Sequence, residues 1–353
     1  MTKSCWQWLG ACLISIALSA CGTRPTPAIE SYVFGTMVSI SLPDQSQTRA
    51  QQLANAVNQE FFKLHQQLHA WQSDSELSRL NQAIAAGQSM QVTPLLAQML
   101  RKTQQLSAQS EDIFNPAIGQ LIALWGFHRD EFTPVKVEPE QIHRLVKTHP
   151  SMAQLHIQDL QVSSSNREVQ LDFGGYAKGY ALDIAANFLR TQGVRNALIN
   201  IGGNIIALGQ HDQRSWQVGI QHPRQSGTIA TIDLPDGWAI GTSGDYQRYF
   251  NLDGQRYCHI IDPRTGYPVQ TTQSVTVLIP PAESAGVMSD VASKPIFIAR
   301  DESARLLAAK KMGVDYFLIV DAHGDVLMSR AMQKILHWTQ PPSHIKVVDT
   351  EAL

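Results

Sequence analysis

The spacing of apolar residues changes period several times along the chain. Residues 31–42 alternate apolar and polar positions, with Val33, Met37, Val38 and Ile40 on the apolar side, and predict a first strand. Within residues 48–70, Leu53, Val57, Phe61, Leu64 and Leu68 recur three or four apart, which is one stripe of a helix. Thr93-Pro94 supplies an N-cap and a first helical proline for a second helix through about Ser110. Residues 130–147 are polar, contain prolines and predict an irregular excursion. A short strand at 168–171 precedes a helix marked by Ala181, Ile184, Ala185, Phe188 and Leu189, which Gly193 ends. Strands follow at 197–201, 205–208, 216–221, 228–234, 238–242 and 274–280. A helix over 283–294 stops before Pro295; then come a helix at 302–311 and strands at 316–320 and 325–329. Strands and helices intermix throughout, with hairpins in the middle, which predicts an α+β or α/β layered domain.

Composition narrows the class. The 353 residues are 43% apolar with a formal net charge of -2, enough chain for one large domain or two ordinary ones. That charge balance offers nothing to nucleic acid, which is not expected as a partner. The N-terminus differs in kind. Lys3 precedes an apolar run over residues 8–20, of signal-peptide length and too short to span a bilayer. It ends Leu18-Ser19-Ala20-Cys21, small residues directly before a cysteine, and resembles a bacterial lipoprotein box; a plain signal peptide cut elsewhere is the alternative. On the first reading, residues 1–20 leave and Cys21 is lipidated. Residues 21–30 tether a single domain over 31–340, and 341–353 form a tail. The mature chain then faces the periplasm from the cell envelope. Cys258 remains as its lone thiol, so no disulfide supports the core.

Three stretches carry candidate chemistry. In residues 241–268, Asp253-Gly254 is a strong hairpin signal. One arm begins with Thr242, Ser243 and Gly244, and the other ends in His259, Asp262 and Arg264. His259 is either a hydrogen-bonded strand residue or a base that titrates near neutrality. Residues 172–181 read as strand, glycine-rich turn and helix, a phosphate cradle to which Lys178 adds an ammonium. The glycine spacing is neither that of a P-loop nor that of a dinucleotide fingerprint. Trp71 either closes the first helix or presents a face for stacking. Met37, read from the residues alone, is packing.

Taken together, these motifs resemble one family. The run 242–250 (TSGDYQRYF) with 259–268 (HIIDPRTGYP), the segment 71–81, Leu124-Trp125-Gly126-Phe127 and the loop 172–179 resemble the signature of the ApbE-like FAD:protein FMN transferases. The resemblance implies a T-fold-like, two-lobed architecture. It also implies transfer of FMN from FAD to a Thr or Ser hydroxyl of an acceptor flavoprotein, releasing AMP. A FAD pyrophosphatase and a non-enzymatic flavin carrier are the rival readings. Met37, Trp71, Asn115, Asp172, Lys178, Thr242, Ile261 and Arg264 are implied at FAD. His259 is implied as the base, with Asp262 orienting it or joining a metal site. Mg2+ is implied on Asp290, Ser293 and the Gly175 carbonyl. Two positions depart from the pattern. Asn115 stands where the family commonly has Asp, which leaves hydrogen bonding and no base chemistry. Lys294 stands where the family has a metal-holding threonine, and Ser293 offers a hydroxyl one position early.

Overall fold

The computed structural model describes residues 28–129 and 131–350. The lipidation expected at Cys21 and the signal segment before it lie outside the described residues. Nine strands form one sheet, ordered in space as they are in the chain. They are β1 (Ile29–Val33), β2 (Thr36–Ser41), β3 (Ala197–Ile201), β4 (Asn204–Leu208) and β5 (Ala239–Gly244). The rest are β6 (Thr272–Ile279), β7 (Tyr316–Asp321), β8 (Val326–Ser329) and β9 (Ile345–Val348). Neighbours run antiparallel until β8 and β9, which pair in parallel. The segment expected as a tail from residue 341 therefore carries an edge strand.

The inner strands are buried on both faces. In β7, Phe317 and Ile319 enter one core while Leu318 and Val320 enter another. The first core lies under α1 (Gln47–Leu68), α2 (Ala177–Thr191), α3 (Ala285–Val291) and α4 (Ser293–Ile298). Leu53, Val57, Phe61, Leu64 and Leu68 of α1 are all buried there, as their spacing requires. The second core is closed by a three-stranded sheet of Leu336–Trp338, Thr228–Leu234 and Trp216–Gln221. The result is the mixed α+β class expected, built as helices, large sheet and small sheet. A fully buried Leu or Phe contributes roughly 1.5–3 kcal/mol, so burial on both faces makes the sheet a rigid base for side chains at its edge.

Several local expectations change. Residues 31–42 form a hairpin, because Phe34 and Gly35 both take positive φ (57° and 68°) and turn the chain in two residues. Residues 139–147 are a helix, begun by Pro139 and packed through Ile142 and Leu145. In place of a strand at 168–171 there is a single bridge between Gln170 and Ile118. The helix expected over 283–294 is split into α3 and α4, with Pro295 inside α4. A proline has no N–H for the carbonyl one turn back, so the break falls before it.

The hairpin around Asp253-Gly254 is present, pairing Tyr249–Leu252 with Gln255–Cys258. Thr242, Ser243 and Gly244 are not its arm, however; they belong to β5 and pair with β6. A third core, including Trp125, Phe127, Leu145, Phe250 and Ile261, seats this hairpin against the helix at 139–147. Cys258 is buried, and burial pushes its thiol up to about 12, so it is no nucleophile. Among the described residues, no helix is long and apolar enough to cross a membrane.

Candidate active site

A cleft of about 650 Å³ opens where α2 begins, between the large sheet, Trp71 and the hairpin. Asp172 organises one wall. Its Oδ1 accepts the Gly174 N–H at 2.7 Å and its Oδ2 accepts the Trp71 indole N–H at 3.0 Å. The glycine turn and the aromatic ring are thereby fixed to each other, and the ring tilts against His128 at 5.1 Å. Asn115 uses both ends of its amide inside the wall: Nδ2 donates to the Pro150 carbonyl at 2.8 Å, and Oδ1 accepts from Ala117 N–H at 3.0 Å. Thr242 and Ile261 also line the cleft, Thr242 bonded across the sheet to Thr276 at 2.9 Å.

His259 stands on the opposite side. Its main-chain N–H and its Nδ1 both meet the Arg248 carbonyl, at 3.0 and 3.2 Å. A carbonyl can only accept, so the proton of the neutral ring is on Nδ1 and Nε2 keeps a bare lone pair. Burial, with the nearby charges of Arg248, Lys178 and Lys294, drives the imidazole down to about 3 and holds it neutral at working pH. The Arg248 guanidinium reaches the Phe34 carbonyl at 3.4 Å and so ties the hairpin to the β1–β2 turn.

Three expected site residues lie elsewhere. Asp262 does not orient His259. Its carboxylate is held by Arg264 Nε and Nη2, both at 2.9 Å, with Arg300 at 3.5 Å. Its carbonyl closes a turn onto Gly266 N–H, so Asp262 and Arg264 form a clasp outside the cleft lining. Met37 is half exposed on its strand, whereas the adjacent Gly35 and Thr36 line the cleft.

The donor set expected for Mg2+ does not fit a divalent cation. Asp290 Oδ1 is bound by Lys294 Nζ at 2.7 Å, with Lys178 Nζ at 3.7 Å, and Oδ2 accepts Gly179 N–H at 3.1 Å. Burial pushes this carboxyl up, but Lys178 and Lys294 outweigh it and hold it below the usual range. Ser293 Oγ sits 2.8 Å from Ser243 Oγ and also meets the Asp290 carbonyl. Among the described residues, no group of three or more His, Cys, Asp or Glu is arranged to hold a metal.

Sequence reasoning missed Arg248 and His128. Arg248 lies inside the run 242–250, but its carbonyl, which any residue possesses, holds His259, and the reach of its guanidinium to the Phe34 carbonyl spans the fold and leaves no mark in spacing. His128 directly follows the Leu-Trp-Gly-Phe motif and gave no periodic signal.

A ring-sized wall, a cationic end with a helix N-terminus and a neutral imidazole define a protein that handles a nucleotide-like anion. The chain belongs to the ApbE family, whose model matches residues 34–318. It is 37% identical over 331 residues to a FAD:protein FMN transferase of Rhodobacter capsulatus, covering 93% of this chain and 62% of that one. The chain thus spans less than two thirds of that relative. A FAD:protein FMN transferase of Klebsiella pneumoniae is 29% identical, with 78% of this chain and 82% of the other covered. The crystal structure of an ApbE protein from Thermotoga maritima superposes with a TM-score of 0.78 at 28% identity, covering 88% and 98%. The apo flavinyl transferase ApbE of Pseudomonas stutzeri gives 0.74 at 27% identity, covering 88% and 96%.

Proposed function

We propose that this protein transfers FMN from FAD to a threonine or serine hydroxyl of an acceptor flavoprotein, leaving a phosphodiester and releasing AMP. The names of its relatives support transfer and do not favour FAD hydrolysis or simple flavin carriage. The observation that carries the reading is His259, neutral and bare at Nε2, beside the cationic end of the cleft. The acceptor oxygen forms a bond to the FMN-side phosphorus as the bridging P–O bond breaks, and AMP leaves with the bridging oxygen. His259 Nε2 takes the hydroxyl proton. Lys178 and the N-terminal N–H groups of α2 stand against the phosphoryl oxygens. Burial is the largest cause of His259's lowered value, and two negative charges on the diphosphate offset the smaller part due to Arg248, Lys178 and Lys294. Trp71, oriented by Asp172, offers its face to an aromatic ring of the nucleotide. Of the Mg2+ ligands expected, the Asp290 carboxylate is held by Lys294 and Gly179 N–H, and Ser293 Oγ by Ser243, and the scheme uses no metal.

Incubation with FAD and a flavin-acceptor protein tests the reading. Flavin fluorescence that stays with the acceptor in a denaturing gel supports transfer; free FMN without adduct, or unchanged bound FAD, contradicts it. We place the mature chain in the periplasm, anchored through lipidated Cys21, on the strength of the small residues before that cysteine. Cys21→Ala should abolish membrane association or leave the precursor uncleaved. An unacylated wild-type N-terminus beginning elsewhere would overturn the anchor.

A further inference from the structure

Lys294 stands at the cationic end of the cleft without a part in the scheme above. It is not a surface lysine: 18% of its side chain is exposed, and its stem packs on Gly175. A Cβ at Gly175 would come within 2.7 Å of Lys294 Cε, so the glycine leaves room for this stem. The ammonium donates to Asp290 Oδ1 at 2.7 Å and to the Asp290 main-chain carbonyl at 2.5 Å. A carboxylate oxygen and a carbonyl oxygen are the hard ligands that a divalent cation takes. Mg2+ needs such oxygens at about 2.0–2.1 Å in octahedral array, and an ammonium on both of them excludes it. Asp290 Oδ2 and Ser293 Oγ are engaged with Gly179 N–H and Ser243 Oγ. Lys178 and Lys294 against Asp290 leave one positive charge facing the cleft, next to the turn where α2 begins.

We infer that Lys294 is a built-in cation that replaces a divalent metal against the FAD diphosphate, so that this chain binds and uses FAD without metal. The inference rests on FAD being the substrate.

The test needs FAD, MgCl2 and EDTA. FAD affinity is read by flavin fluorescence quenching in EDTA and in millimolar MgCl2, and MgCl2 is titrated calorimetrically into FAD-free protein. For the wild type, FAD affinity should differ less than about threefold between the two buffers, and MgCl2 should give no binding heat. Lys294→Thr removes the ammonium and leaves a hydroxyl. It should weaken FAD about tenfold or more in EDTA, the scale of a lost charge-assisted contact, and MgCl2 should restore the affinity. Two results on the wild type alone would overturn the inference: a tenfold loss of FAD affinity confined to EDTA, or Mg2+ binding that Asp290→Asn abolishes. Failure to bind FAD in either buffer would instead sink the functional reading itself, and the role of Lys294 with it.

Discussion

A histidine takes a proton well only when one ring nitrogen is bare, and the Arg248 carbonyl fixes which one that is in His259. His259→Ala should lower FMN transfer about 10²–10⁴-fold, the usual worth of a positioned base, while FAD affinity stays within a few-fold. Loss of FAD binding in step with the rate would point to a binding role. Asp262 makes the contrasting case. Its carboxylate clasps Arg264 within the turn, so Asp262→Asn should cost about 1 kcal/mol of stability and leave the transfer rate within about threefold. Thermal melting beside the rate assay checks both, and a hundredfold slower enzyme with an unchanged melt would make Asp262 catalytic after all. His259, Lys178 and Asp172 were legible because their residue types and order carry a signature. The direction in which Asp262 points was not. Its side chain accepts the Arg264 N–H and its carbonyl the Gly266 N–H, and this local turn, written as Asp262 to Gly266, won over any contact with the imidazole.

At the scale of elements, the cleft depends on how α3 is held. Asp183, on α2, accepts the N–H groups of Gly286 and Val287 at 2.7 and 2.9 Å and so caps the start of α3, which carries Asp290. Burial pushes Asp183 up to about 7 against the pull of those two donors. A carboxyl raised on folding disfavours the folded state once ionised, so wild-type stability in denaturant unfolding should fall as pH rises from 3.8 to about 7, and Asp183→Asn, which cannot ionise, should remove that fall. The same pH profile for both proteins would show that Asp183 does not set it. The strands at 216–221 and 228–234 were readable to the residue, since their apolar positions recur into one core, and the helix at 302–311 was legible in place. The turn at Phe34-Gly35 was hidden, because alternation runs through it and a phenylalanine with positive φ leaves no composition cue. The split between α3 and α4 was signalled by Pro295, but the helix resumes before that proline, and a pattern that stops at proline misses α4.

At the scale of the molecule, the layered α+β class followed from intermixed periods, yet no pattern says which segments meet. Gly35, Trp71, Lys178, Thr242, His259 and Asp290 come together in one cleft from six separate stretches of chain. Resemblance supplied that grouping, and the nine-stranded sheet explains it physically. A sheet whose order follows the chain brings β2, the turn before β4 and the end of β5 to one side, where α2 and α3 deliver Lys178 and Asp290. The central claim is that the FMN half of FAD goes to a protein hydroxyl and not to water. The most direct measurement is to quantify AMP and acceptor adduct in the same reaction, AMP by chromatography and the adduct by intact-protein mass spectrometry. The account predicts one AMP for every acceptor that gains FMN less one water, located on a threonine or serine. AMP in large excess over adduct, with the balance found as free FMN, would contradict it.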